Sequence, residues 1–284
     1  MIKNKKFVVY TTATNAESLG YMTTLKASIE SITKHNFVDD FYILDGHSID
    51  NTNLLLNKEK INNNKISILT SPVWKKESWT WETLLEQYNF FYEFISNECS
   101  SINNDIIVLY QCSDQIWTDD YANELHSNLV NMIDNNFDYI ISPFRKMINK
   151  NYVTSIYDYD PLFSVYCSLR FRPGHKYQVA GREDSLKSSF PTRKMMTKFK
   201  NSSISYDMTF FTRQNLKDKI VHHQCGIVEK EIDDYIKNGF LRKCLRTSPR
   251  KILIDSHPIE IREQIRHINS DLFGYDCFGH FKDL

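Results

Sequence analysis

Four short runs rich in β-branched and aromatic residues punctuate the first 111 residues, at 6–11 (KFVVYT), 41–44, 66–69 and 105–111 (DIIVLYQ). The stretches between them carry apolar residues at helical spacing. Leu19, Met22, Leu25, Ile29 and Ile32 share one helical face, 79–95 reads as a long amphipathic helix, and 120–133 as another before a strand-like 137–142. Strands alternating with helices in this way predict βαβ units and an α/β fold with a mostly parallel sheet. The fourth run is continuously apolar, as expected of a strand covered on both faces. Sheets of this kind take their ligands at the carboxyl ends of the strands, near a topological switch point.

Residues 143–210 are less periodic and are interrupted by Pro143, Pro161, Pro173, Gly174 and Pro191, while helical patches return at 231–243 and 259–268. No repeat or low-complexity linker separates these regions, so one elaborated domain is predicted. With 41% hydrophobic and 13% aromatic residues among 284, the chain can bury a large core. A disordered chain, a collagenous repeat and a disulfide miniprotein are thereby excluded. Only 8 glycines are present, and neither GxGxxG nor a Walker loop occurs. No apolar run reaches the ~18 residues of a membrane span. The first six residues lead straight into a strand, so no signal peptide is read. Six cysteines (99, 112, 167, 225, 244, 277) form no CxxC pair, which predicts reduced thiols and a cytoplasmic protein, in a host's cytoplasm if the source is viral.

The net charge is zero, from 35 basic and 35 acidic side chains, but it is unevenly distributed. Residues 1–141 carry 10 basic and 19 acidic groups (−9), residues 142–202 carry 12 and 4 (+8), and residues 203–284 carry 13 and 12 (+1). A basic middle segment suits an anionic partner, although a solvated surface would read the same way.

Residues 41–52 contain the most informative motif: a hydrophobic strand followed by D-G-x-S-x-D-x-T, from Asp45 to Thr52. A carboxylate at the carboxyl end of a strand points into the ligand crevice and can accept hydrogen bonds from a nucleoside. Ser48 or Asp50 can cap the helix that follows. An ordinary Asp-Gly turn before a capped helix is the plainer reading of the same residues. In this stretch the chain resembles glycosyltransferase family 2 and its relatives with the GT-A fold, a Rossmann-like, mostly parallel sheet flanked by helices. The resemblance implies a nucleotide-sugar site, with Thr11, Thr12 and Asp45 among its residues.

Two further landmarks follow in the order that resemblance implies. After the fourth strand, Gln111-Cys112-Ser113-Asp114-Gln115 stands where GT-A enzymes carry a metal-binding D-x-D motif, and a phage and bacterial branch carries Q-x-x-D-E. Two oxygen ligands on such a loop can hold Mn²⁺ or Mg²⁺ against a diphosphate. Here Asp114 supplies the only carboxylate, so the metal motif is depleted. Farther on, His223 lies three residues before Gly226 and precedes Lys230 and Lys237. The resemblance gives His223 to the metal and the two lysines to the diphosphate. A core or surface histidine pair with His222 is the alternative, and the His222, His223, Cys225, Cys244 spacing matches no standard zinc pattern.

Asp184, with Glu183 beside it, matches the E-D pair whose carboxylate removes the acceptor proton in inverting enzymes of this kind. A solvated acidic pair beside Arg182 fits equally well. Arg145, Arg170, Arg172 and Arg182 fall in the family's acceptor-binding part. Aromatic residues gather at Trp74, Trp79 and Trp81 and again from Tyr152 to Tyr166, where core packing competes with stacking on a sugar or base.

The resulting expectation is an inverting glycosyltransferase with a catalytic domain at 1–240. Within it, 1–141 would bind the nucleotide sugar and 142–228 the acceptor, a glycan or a modified base in DNA. Residues 229–284 would form a helical extension. A non-catalytic nucleotide-sugar or nucleic-acid binding module is a second reading. A nucleotidyltransferase-like enzyme is a third, although residues 11–15 contain no Arg, Lys or Gly.

Overall fold

The computed structural model describes residues 2–18, 20–71, 81–99, 106–142, 144–149, 152–153, 167–171, 174, 176–179, 186–188, 205–208, 250–251 and 257–267. Its elements run in the order β1 (Lys6–Ala13), α1 (Met22–Thr33), β2 (Asp40–Asp45), α2 (Thr52–Asn62), β3 (Ile66–Thr70), α3 (Trp81–Cys99), β4 (Ile106–Tyr110), β5 (Gln115–Ile116) and α4 (Asp119–Asp134). They continue with β6 (Tyr139–Ile141), β7 (Phe144–Asn149), β8 (Tyr152–Val153), β9 (Cys167–Arg170), β10 (Tyr177–Val179), β11 (Leu186–Ser188), β12 (Ser205–Asp207), β13 (Arg250–Lys251) and α5 (Ile259–His267).

The expected α/β fold with a mostly parallel, helix-flanked sheet is the one observed. The main sheet has the order β3-β2-β1-β4-β9-β6. Its first four strands are mutually parallel, with Val9 in register with Phe41 on one side and Leu109 on the other. β9 runs antiparallel to both β4 and β6. The chain travels from β1 outward to β2 and β3, then returns to the other flank of β1 as β4. The winding therefore reverses between β1 and β4, which opens a crevice at their carboxyl ends.

Strand alternation sorts the core into two layers. Phe7, Val9, Phe41, Ile43, Ile107 and Leu109 meet Leu25, Ile29 and Ile32 of α1, Leu56 of α2, and Leu125, Leu129 and Met132 of α4. On the other face, Val8, Tyr10, Leu44, Ile106, Val108 and Tyr110 meet Tyr88, Phe91, Tyr92 and Ile95 of α3. That second layer is aromatic: Tyr10 stacks on Phe91 with ring centroids 3.9 Å apart, and Tyr92 stacks on Phe171 at 5.6 Å. Each such side chain contributes about 1.5–3 kcal/mol by leaving water.

Helix ends also follow local chemistry. Thr118 caps α4, its hydroxyl accepting from the Tyr121 amide at 3.1 Å, and Asp119 and Asp120 complement the helix dipole in the first turn. Lys34, just past α1, reaches Asp119 at 2.7 Å and Glu260 at 3.4 Å, joining the end of α1 to the starts of α4 and α5.

Two features differ from expectation, the start of α1 and a second sheet. α1 starts at Met22, later than expected, because a turn precedes it: the Gly20 amide bonds the Glu17 carbonyl, and Gly20 takes φ +73°. α2 is the helix expected after Asp50, but it has little apolar periodicity of its own, since it buries only Thr52, Leu56 and Glu59 and leaves Leu54 and Ile61 exposed. A second sheet, β13-β8-β7-β12-β5, was not anticipated, because strands of two to six residues are too short for a period-two pattern to register. The helical patch read at 231–243 lies outside the described residues.

Candidate functional site

Asp45 is the last residue of β2 and is 6% exposed. Its Oδ1 accepts from the Ser48 amide at 3.1 Å and from the Ser48 hydroxyl at 2.6 Å. Among the described residues Oδ2 takes no hydrogen bond, so the carboxylate is fixed in orientation with one oxygen uncommitted. The Ser48 hydroxyl in turn accepts from the Asn15 amide at 2.9 Å, binding the loop after β2 to the loop after β1. Ser48 therefore does not cap α2. Asp50 comes closer to that role, Oδ1 accepting from the Thr52 amide at 3.0 Å while Oδ2 accepts from the Ser18 amide at 2.8 Å. Burial pushes the Asp50 carboxyl up, but hydrogen bonds from Thr52 and Ser18 outweigh it and hold the group below its ordinary value.

The expected Asp-Gly turn also takes a different form. The left-handed residue after β2 is His47 (φ +56°) rather than Gly46, and the matching residue after β1 is Asn15 (φ +45°). Asparagine tolerates that conformation because its side chain bonds locally; here Asn15 Oδ1 accepts from the Ile49 amide at 2.9 Å.

The loop after β4 is braced from beneath. The Gln111 amide donates to the Tyr10 carbonyl at 2.9 Å, and the Gln115 amide closes a turn onto the Cys112 carbonyl at 3.1 Å. Both glutamine side chains are buried, Gln111 Nε2 donating to Gln115 Oε1, while Trp117 Nε1 donates to Gln111 Oε1 at 2.9 Å. Gln115, which occupies the glutamate's place in the Q-x-x-D-E pattern, is therefore turned inward. The Asp114 carbonyl accepts from the Met208 amide at 2.9 Å, and the residue is half-buried. Cys112 in this loop forms no disulfide among the described residues.

Tyr21 closes the loop after β1, its hydroxyl accepting from the Thr14 amide at 3.1 Å and donating to the Thr14 carbonyl at 2.9 Å. Burial, opposed by the Thr14 bond and reinforced by the Asp114 and Asp50 carboxylates, pushes the phenol up to about 12. Tyr21 was not singled out by the sequence. Its signal, a tyrosine directly after Gly20 at a helix start, has no chemical signature of its own.

Other expected residues are placed as follows. Thr11 is fully enclosed, on the strand face that meets α1, so any side-chain contact from this strand end falls to half-buried Thr12, whose Oγ1 lies 3.4 Å from the Tyr110 hydroxyl. Arg170 is in register with Ile107, toward the opposite end of β4, and its guanidinium donates to Asn136 Oδ1 at 2.7 Å and to the Ile133 carbonyl at 3.4 Å. It holds the end of α4 instead of facing the rim. Arg145 lies in β7, but its side chain is outside the described residues, as are Arg172, Arg182, Glu183, Asp184, His223, Lys230 and Lys237. The same is true of Trp74 and Trp79. Trp81 begins α3.

Among the described residues no group of three His, Cys, Asp or Glu side chains stands together to hold a metal. With one carboxylate on the β4 loop and Gln115 buried, these residues do not by themselves fit a divalent cation. No described helix is long and apolar enough to cross a membrane.

No family model and no curated protein matches the chain. Solved structures do. Residues 1–349 of S. aureus TarS align over 86% of this chain and 72% of that one, at 14% identity and a TM-score of 0.45. The same TarS fragment in complex with UDP gives 15% identity and 0.47 over the same shares. Glucosyl-3-phosphoglycerate synthase from Mycobacterium tuberculosis, solved with Mn²⁺, UDP and glucosyl-3-phosphoglycerate, aligns over 50% of this chain and 44% of that one, at 19% identity and 0.33. Likenesses at this level assign no residue a role.

Proposed function

We propose that the chain is a GT-A type glycosyltransferase, moving a sugar from a nucleoside-diphosphate sugar to an acceptor hydroxyl. The observation that carries the reading is the Asp45 carboxylate at the carboxyl end of β2, beside β1, one oxygen held by Ser48 and the other, among the described residues, uncommitted. A fixed anionic acceptor at a strand end suits the N–H and O–H donors of a base and ribose. Thr12 stands near the end of the neighbouring β1, and Asp114 in the loop after β4, on the far side of β1.

A diphosphate would be repelled by Asp114 unless positive charge offsets it. His223, Lys230 and Lys237 are the proposed sources, His223 by joining Asp114 around Mn²⁺ or Mg²⁺ and the lysines directly. Asp184, assisted by Glu183, is proposed to accept the acceptor's proton, with inversion at the sugar carbon. Arg145, Arg172 and Arg182 belong to the +8 segment and are proposed to face the acceptor, a glycan or a modified base in DNA. Arg170, engaged at the end of α4, is left out of that set. The halves 1–141 and 142–228, with 229–284 as an extension, divide donor from acceptor in this reading.

Turnover of UDP-, GDP-, CDP- and dTDP-sugars, with and without Mn²⁺, tests the proposal. One donor should be consumed by the wild type, and Asp184→Asn should abolish the transfer. The depleted β4 loop favours one second reading, a nucleotide-sugar binder without catalysis. Tight binding with no turnover of any donor would select it.

A further inference from the structure

We infer that Asn15 is a positioning residue for Asp45, acting through Ser48. The backbone amide of Asn15 donates to the Ser48 hydroxyl at 2.9 Å, and that hydroxyl donates to Asp45 Oδ1 at 2.6 Å. An amide N–H can only donate, so the Ser48 oxygen must accept there, and its own proton is left for Asp45. The Asn15 side chain holds the next residue along, Oδ1 accepting from the Ile49 amide at 2.9 Å. Asn15 thus restrains Ser48 and Ile49 together, from a backbone at φ +45° that asparagine adopts more readily than most residues. Ser48 and Asp45 are 5% and 6% exposed, so a bond lost here is poorly replaced by water. Fixing Oδ1 through the Ser48 amide and hydroxyl also fixes where Oδ2 stands.

The same two loops are joined a second time farther out. Glu17 accepts from the Asn51 amide at 3.0 Å and from the Asn51 side chain at 2.7 and 2.8 Å, and the Ser18 amide donates to Asp50 at 2.8 Å. None of these bonds includes Asp45 or Ser48. The outer joint keeps the loops together when the inner one is cut, and it supplies a control. What Asp45 meets rests on the nucleotide-sugar reading, whereas the bonds from Asn15 do not.

The test uses the full chain and three variants. Asn15→Gly keeps the left-handed backbone and removes Oδ1, Asn15→Asp retains an acceptor oxygen there, and Glu17→Ala cuts only the outer joint. Residue-resolved amide exchange without ligand reads the Ser48 amide, which reports the hold on Asp45 Oδ1. Asn15→Gly should speed exchange at both Ile49 and Ser48 roughly two- to tenfold, the size of one lost hydrogen bond. Asn15→Asp should match the wild type, and Glu17→Ala should leave Ser48 unchanged. Faster exchange at Ile49 alone, or the same effect on Ser48 in Glu17→Ala, overturns the inference.

Calorimetry with UDP-, GDP-, CDP- and dTDP-sugars reads the ligand side. Asn15→Gly should weaken the donor that binds by roughly two- to tenfold, and Ser48→Ala, which removes the middle link, should do the same. Added to Asp45→Asn, Asn15→Gly should cost almost nothing further, because a residue acting through Asp45 then has no charge to position. Equal losses in both backgrounds overturn the inference. If the wild type binds no donor, the nucleotide-sugar reading fails on its own, and exchange at Ser48 decides the positioning: faster exchange in Asn15→Gly supports it, and unchanged exchange overturns it.

Discussion

Asp45 owes its orientation to Ser48 and its place to the end of β2, and both conditions are needed for a carboxylate to select a ligand. Asp45→Asn keeps the shape and removes the charge, so donor affinity should fall by about 1.5–3 kcal/mol, roughly 10- to 150-fold, read by calorimetry. Tyr21 makes a prediction of a different kind. Its folded-state pKa of about 12 lies above the ordinary 10.0, so folding favours the neutral phenol. That stabilisation is complete below pH 10 and disappears as pH climbs through about 12. An alkaline phenolate titration followed by absorbance should therefore show Tyr21 ionising late, and Tyr21→Phe should lose that part of the alkaline pH dependence. Asp45 and Asp114 were legible because strand ends and acidic residues are visible in a sequence. Tyr21 was not, because its bonds to Thr14 form only once the intervening chain turns back on itself, and the inward turn of Gln115 likewise depends on contacts made in space.

At the scale of elements, β1 and β4 were readable because both faces of each are buried and their runs are continuously apolar. The second sheet was not, for want of length, and α2 was signalled only by the capping residues before it because it has no apolar stripe. Packing and capping each give a test by thermal or denaturant melting. Phe91→Ala removes the ring under Tyr10 and should cost about 3–5 kcal/mol. Thr118→Ala removes the α4 cap and should cost about 1 kcal/mol.

His35, beside Lys34 and Asp119, adds a pH term. Burial first and the Lys34 charge second lower its pKa from the ordinary 6.5, with Lys65 acting in the same sense and Asp119 and Glu260 opposing. The unfolded chain thus binds the proton more readily, so stability is full above pH 6.5 and declines as pH falls through the folded value. His35→Gln should flatten that acid-side slope.

For the whole molecule, zero net charge conceals a division that matches the proposed division of labour. The half carrying −9 contains Asp45 and Asp50 after β2 and Asp114 after β4, and the +8 segment is the proposed acceptor side. If DNA is the acceptor among the two proposed, duplex DNA binds at ~50 mM salt and is released steeply as salt rises. Absence of binding at that salt would remove DNA and leave a glycan as the acceptor. The central claim, that the rim at the carboxyl ends of β2, β1 and β4 is a nucleotide-sugar site built on Asp45, is tested most directly by calorimetric titration of wild type and Asp45→Asn with UDP-, GDP-, CDP- and dTDP-sugars. The account predicts saturable binding of one nucleotide class by the wild type and a roughly 10- to 150-fold loss in a folded Asp45→Asn. Failure of the folded wild type to bind any of the four, or equal binding by both proteins, would contradict it.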